Sequence, residues 1–341
     1  MNNCHDDRNY DYYDIHGILR VRTNLSQKVL AKILPSIFRK RLINGDIDLS
    51  VLHGDFSIRD LDTADNCFYS EGPIKFGFLR SKFLLANLDK APTKFWFLSP
   101  RYKIFHRIRE SLLKLIFSVI EIKLLQKGYT LVHAGCVEKD GDGFLLVAPP
   151  DTGKTLTVLR LCLEHGFNIL SDDMVILKED RSVYSYPTDF TFHILHLRNL
   201  TIKLPYGLSK SIEFRTAINK IPFVKKIIPP QKDVNILTLI PRERLSPKAQ
   251  IGKIFFLEIG NKNVIKRISE ESALKRFSLV ARMHRDVLND ILSIYSYYNE
   301  LGLWDLVQRQ QWLFERLVIS SENYLVNSSS EHFFENILTR L

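Results

Sequence analysis

Four apolar residues, 144–147, run directly into Ala148-Pro149-Pro150-Asp151-Thr152-Gly153-Lys154-Thr155, and residues 154–165 behind them have helical spacing. A strand with no polar alternation must be covered on both faces, which demands helices above and below a sheet and so an α/β chain. A loop joining such a strand to a helix can aim successive backbone N–H groups at phosphate oxygens, with the helix N-terminus behind them. Lys154 then reaches the β- and γ-phosphates, and the Thr155 hydroxyl holds Mg²⁺. The loop predicts binding of ATP with Mg²⁺ through Pro150, Asp151, Thr152, Gly153, Lys154, Thr155 and Leu156. Two positions depart from the common glycine-rich pattern. Ala148 stands at the first glycine and Asp151 at an inner one, where an Asp adopts a left-handed conformation more readily than most residues.

The flanking residues narrow the chemistry. Residues 129–137 read as one strand pairing with the strand of the loop, and they carry His133, beside the small Ala134 and Gly135. Asp140-Gly141 marks a hairpin turn. Residues 167–170 read as a third strand closed by Ser171-Asp172-Asp173, seventeen positions after Thr155. One carboxylate beside a triphosphate can hold Mg²⁺ and another can accept a proton from an attacking hydroxyl. Two adjacent carboxylates raise one another's pKa unless a metal neutralises them. His133, Lys154, Thr155, Asp172 and Asp173 are therefore the expected site residues, with Thr155 and one aspartate on the metal and the other aspartate on the hydroxyl.

The ordered set of His133-Ala134-Gly135, an Asp-Gly hairpin, an apolar strand, the loop to Lys154-Thr155, Gly166-Phe167 and Leu170-Ser171-Asp172-Asp173 resembles the catalytic domain of the HPr kinase/phosphorylase family. That family shares a core with phosphoenolpyruvate carboxykinase and includes kinases of lasso-precursor peptides. The resemblance covers roughly residues 129–258. It implies a P-loop mixed β-sheet core of the HPr kinase C-terminal-domain type, and serine phosphorylation by ATP and Mg²⁺. It implies Asp172 as the general base, Asp173 organising Mg²⁺ with Thr155, and His133 close to the transferring phosphate; the residues themselves leave the division between the two aspartates open. Residues 195–200 are similar in outline to a downstream family signature, which makes Arg198 a substrate-contact candidate. His196 replaces a family glutamate there.

The rest of the chain is expected to form an N-terminal α/β domain (1–108) and a C-terminal helical extension (263–341) around the catalytic domain (109–262). Residues 15–21 and 75–79 read as strands, 26–41 and 107–127 as helices, and the C-terminal part as three or four amphipathic helices. The formal net charge is +10, and residues 196–253 hold twelve Lys/Arg against three Asp/Glu. Such a surface favours an acidic acceptor. It has few aromatics, so nucleic acid is ranked low. The four cysteines lack metal or disulfide spacing. No window of membrane-spanning length is charge-free and no signal peptide is apparent, which predicts a cytoplasmic protein. The acceptor could be a protein, a peptide or a small molecule, and a homo-oligomer is possible. A non-catalytic ATP-binding module or an NTPase switch is the alternative function.

Overall fold

A computed structural model describes residues 10–55, 66–73, 80–99, 106–192, 194, 200, 205–219, 232–283, 286–329 and 332–341. The chain is mixed α/β and divides into two compact units, Met1–Thr130 with Arg282–Gln311, and Leu131–Ala281 with Trp312–Leu341.

The first unit is built on a seven-stranded sheet. Its strands are β1 (Asp11–Ile15), β2 (Leu19–Thr23), β3 (Arg39–Lys40), β4 (Leu49–His53), β5 (Cys67–Pro73), β6 (Arg80–Ala86) and β7 (Thr93–Leu98), in the order β3-β1-β2-β4-β7-β6-β5. The expected strand over 15–21 is instead a hairpin. His16 and Gly17 take positive φ, and Asp14 Oδ1 accepts the Gly17 N–H at 2.8 Å, closing the turn. The expected helix over 26–41 shrinks to α1 (Gln27–Leu30) and a 3₁₀ turn at Ser36–Phe38, because Pro35 cannot continue the backbone hydrogen bonds. The expected strand at 75–79 lies outside the described residues.

Helix α2 (His106–Gln126) ends as its sequence predicts, with Gly128 in the left-handed region. It packs within the first unit, which therefore extends past residue 108. Lys123 in its last turn is buried, donates to Lys90 O at 2.9 Å, and has its pKa pulled from 10.5 to about 8 by that burial. A lysine that loses its proton more readily folded than unfolded penalises the fold below about pH 8, and the penalty fades as pH rises toward the unfolded value. Lys123→Met removes this dependence. The stability difference between variant and wild type, measured by urea unfolding, should shift steadily in favour of wild type between pH 7.5 and 10. An unchanged difference across that range would refute the assignment.

The second unit holds a nine-stranded sheet. Strands β8 (Tyr129–His133), β9 (Gly135–Lys139), β10 (Asp142–Val147), β11 (Asn168–Ser171), β12 (Met174–Lys178) and β13 (Ser182–Ser185) come first, with α3 (Lys154–His165) between β10 and β11. A separate two-stranded ribbon pairs β14 (Phe190–Phe192) with β15 (Lys232–Val234) around α4 (Tyr206–Ile218). Then come β16 (Lys248–Ile259), β17 (Val264–Arg267) and α5 (Glu270–Arg282). The chain returns to the first unit with α6 (Asp286–Asn299), whose Tyr295 hydroxyl and Asn299 amide hydrogen-bond the backbone of Asn66, Cys67 and Leu88. These bonds explain why residues 282–311 belong with the N-terminal sheet. Helix α7 (Asp305–Ile319), β18 (Glu322–Ser328) and α8 (Phe333–Leu338) complete the chain.

The C-terminal part is thus not only helical. β18 pairs in parallel with β16 from Lys253↔Glu322 to Ile259↔Ser328, and β17 pairs with it on the other side. Nothing in the sequence marks it, because a short strand buried on both faces carries no period-2 signal. β10 is apolar for the expected reason. Phe144, Leu146 and Ala148 join a core with α3, α4 and α8, while Leu145 and Val147 join a second core with α5 and the end of α7.

The strand order β11-β9-β10-β16-β13-β12-β8 positions the site. β9 and β8 stand far apart in that order, yet only Ala134 separates them in the chain. β11 and β12 are likewise far apart and joined by Asp172-Asp173 alone. One residue spans about 3.8 Å between neighbouring Cα atoms, so the sheet must fold back on itself at these two places. Two bent strands, 129–139 and 168–178, turn their corners together. The expected single strand over 129–137 is broken where Ala134 N–H donates to Val132 O at 3.0 Å.

Candidate active site

The site is assembled from three local features: the loop after β10, the bend at residues 133–135 and the bend at residues 171–174. In the loop, Asp151 has φ 60° and Gly153 φ 106°, both left-handed. The Asp at an inner glycine position adopts the geometry the loop needs. The Thr152 hydroxyl donates to Pro149 O at 2.7 Å and closes the loop from inside. Helix α3 begins at Lys154, so the N–H groups of its first turn lack helical partners and face the loop. Arg244 Nη1 donates to Cys162 O at 3.3 Å near the other end of α3, a favourable place for a cation.

The bends bring the acidic and basic groups onto this helix start. Lys154 is buried, with Nζ 2.9 Å from His133 Nε2 and 3.8 Å from Asp173 Oδ1. Burial lowers the Lys154 pKa, and Asp173 and Asp172 work against that shift. His133 Nδ1 lies 3.2 Å from Asp173 Oδ1, within ion-pair range though not aligned as a hydrogen bond. The Thr155 hydroxyl donates to Asp172 Oδ2 at 3.2 Å. Asp172 is buried, and its Oδ1 has no hydrogen-bond partner among the described residues. Burial, then the neighbouring Asp173, push its pKa up to about 7, while Lys154 and the Thr155 hydrogen bond oppose the shift. Cys136 and Cys162 are buried thiols with pKa values raised by burial.

Three expectations meet the structure differently. His133 lies near the loop, but on β8; the strand that pairs with β10 is β9, beyond the bend. Thr155 touches Asp172, whereas Asp173 faces His133 and Lys154. Arg198 lies outside the described residues, as do 201–204 and 220–231 of the basic stretch.

Two further residues shape the site. Ser171 is fully buried; its hydroxyl donates to Tyr186 O at 3.1 Å and accepts the N–H groups of Met174 (3.2 Å) and Asp173 (3.3 Å). It fixes the bend that orients both aspartates, and a Ser directly before two acidic residues was the available signal. Gly135 is the second. A Cβ there would sit 2.7 Å from Val158 Cγ2 and 3.3 Å from both Lys154 Cγ and Asp172 O. Gly135→Ala should overpack this junction, cost about 1–3 kcal/mol of stability and displace the Lys154 stem. Thermal unfolding together with a crystal structure of the variant would check it, and an unmoved Lys154 at wild-type stability would contradict it.

Comparison with models of known protein families finds no match, and comparison with curated proteins finds none either.

Proposed function

We propose that this protein is an ATP- and Mg²⁺-dependent kinase that transfers the γ-phosphoryl group to a hydroxyl, with a serine of a protein or peptide as the acceptor that the resemblance favours. Under this reading the β10–loop–α3 core is of the HPr kinase C-terminal-domain type. The observation that carries it is the pair of carboxylates at the 171–174 bend, one against the loop threonine at 3.2 Å and one beside the loop lysine at 3.8 Å. A protein that only held Mg–nucleotide would use the first but would not need the second.

A divalent cation fits the residues present. Asp172 offers a buried oxygen without a partner, beside a threonine hydroxyl, on a carboxyl whose burial resists charge unless a cation is near. Among the described residues no group of three or more His, Cys, Asp or Glu could hold a metal. Thr155 and Asp172 would therefore share Mg²⁺ with phosphate oxygens and water, the usual arrangement for this ion. When bound, it neutralises charge on the phosphates.

The protein's own part is positioning and charge. The first-turn N–H groups of α3 and the Lys154 ammonium hold the phosphates. Asp173, half-exposed at the open side of the bend, accepts the proton as the acceptor oxygen attacks the γ-phosphorus. The bond from that phosphorus to the bridging oxygen breaks, and ADP leaves with the electron pair. This assigns Asp173 to the acceptor and Asp172 to the metal, the reverse of what the resemblance implies.

The test mixes the full chain with Mg–ATP and serine-containing peptides or small hydroxyl compounds. Asp173→Asn should keep Mg–ATP affinity within about threefold while turnover falls roughly 10²–10⁴-fold, the usual worth of a general base. Asp172→Asn should raise the Mg²⁺ concentration needed for nucleotide binding. If both variants bind and turn over like wild type, the kinase reading is wrong. Tight ATP binding with no transfer to any acceptor would instead favour the non-catalytic module, for which the alanine at the first glycine position speaks.

A further inference from the structure

The resemblance implies that His133 lies close to the transferring phosphate. Its surroundings give it another task. The side chain is nine-tenths buried, whereas that of Asp173 is half-exposed. Its Nε2 faces the Lys154 ammonium at 2.9 Å and its Nδ1 faces Asp173 at 3.2 Å. The direct distance from Lys154 Nζ to Asp173 Oδ1 is 3.8 Å, beyond hydrogen-bond length. The ring therefore contacts both of the groups that the proposed reaction uses.

An ammonium has donors only, so Nε2 must accept from Lys154, and the ring proton of the neutral imidazole then sits on Nδ1, toward Asp173. We infer that His133 is a positioning residue: it bridges Lys154 and Asp173, fixing the phosphate-binding ammonium and the acceptor-side carboxylate relative to one another, and does not itself touch the phosphate. This rests on the kinase reading above. The fold supplies the means. His133 is the last residue of β8, directly before the bend, and Gly135 just after it leaves the room that the Lys154 stem occupies, since an added Cβ there would sit 3.3 Å from Lys154 Cγ. One short segment thus borders the lysine at its stem and contacts it at its head. Displacements of about 1 Å in such groups cost of order 100-fold in rate.

The arrangement needs an acceptor for the Lys154 ammonium and an N–H dipole near the Asp173 carboxylate, and it needs no acid–base chemistry. A glutamine amide offers both, its oxygen to Lys154 and its NH₂ to Asp173. A leucine offers neither. His133→Leu should lower ATP affinity and turnover each by roughly 10–100-fold, the range typical of an orienting partner. His133→Gln should restore both to within about fivefold of wild type. Thermal unfolding of each variant shows that it is folded.

A readout independent of turnover is ¹⁵N NMR of His133 in the full chain, with and without the magnesium complex of a non-hydrolysable ATP analogue. The expected result is one neutral tautomer with the proton on Nδ1 in both samples. A proton on Nε2 once the analogue is bound would mean that the ring donates to phosphate, and would overturn the inference. So would His133→Gln behaving like His133→Leu, or His133→Leu behaving like wild type. Failure of the wild-type chain to bind the analogue at all would instead sink the kinase reading, so the two failures are distinguishable.

Discussion

Lys154→Met is expected to weaken Mg–ATP binding at least 100-fold, in line with about 10²–10³ for removal of one well-placed donor from a charged transition state, and to abolish measurable phosphoryl transfer. Methionine keeps the length of the stem beside Gly135, so the variant separates charge from shape. The lysine head is buried, and that burial already disfavours its charge. Folding stability should therefore not fall in step with binding, and a rise in unfolding midpoint would be consistent. Calorimetric titration with Mg–ATP, with unfolding of the same sample, decides the matter. An affinity within threefold of wild type would remove Lys154 from the nucleotide site and with it the central claim about the loop.

Val326→Asp is expected to unfold the second unit. Val326 is fully buried in the core shared with α3, and its strand pairs with β16 along seven residues and with β17 on its other side. A carboxylate there has no partner and no water. An unpaired buried charge costs several kcal/mol, against a total stability of about 5–15 kcal/mol for a typical domain. Val326→Ala, which only opens a cavity, should cost about 1–3 kcal/mol and leave the fold intact. Amide hydrogen exchange of β10 and β16 reads the difference, with protection lost in the first variant and kept in the second. Normal protection in Val326→Asp would mean that β18 is dispensable to the sheet.

These two residues differ in how far the sequence exposed them. Lys154 sits in a segment whose meaning is local: an apolar run, a glycine with its backbone freedom, a lysine, a hydroxyl and a helical period. Each needs only its neighbours in the chain, and the structure places strand, loop and helix there. The same holds for the 139–143 hairpin and for the stop of α2 at Gly128. Val326 is different. Its strand is short and covered on both faces, so neither alternation nor a long helical period marks it. Pairing partners seventy residues away in β16 decide that it is a strand at all.

Residues 26–41 show the opposite failure. Their apolar spacing is helical, but Pro35 and packing against the N-terminal sheet divide the segment. Residues 282–311 likewise read as part of a C-terminal extension, while hydrogen bonds from Tyr295 and Asn299 tie them to a strand more than two hundred positions earlier.

The site divides in the same way. Residue types and spacing in the chain determine that a lysine, a threonine hydroxyl, a histidine and two carboxylates belong together, because each has few other reasons to sit at the end of an apolar strand. Which carboxylate meets the threonine is decided only by the tertiary structure. Asp172 and Asp173 are adjacent in the bend between β11 and β12, so a small change of its backbone twist would exchange them. The Ser171 hydroxyl, tied to Tyr186 O, fixes that twist, and the bend at Ala134 sets His133 against Asp173. Both are contacts between segments distant in sequence, formed only when two bent strands turn the same corner.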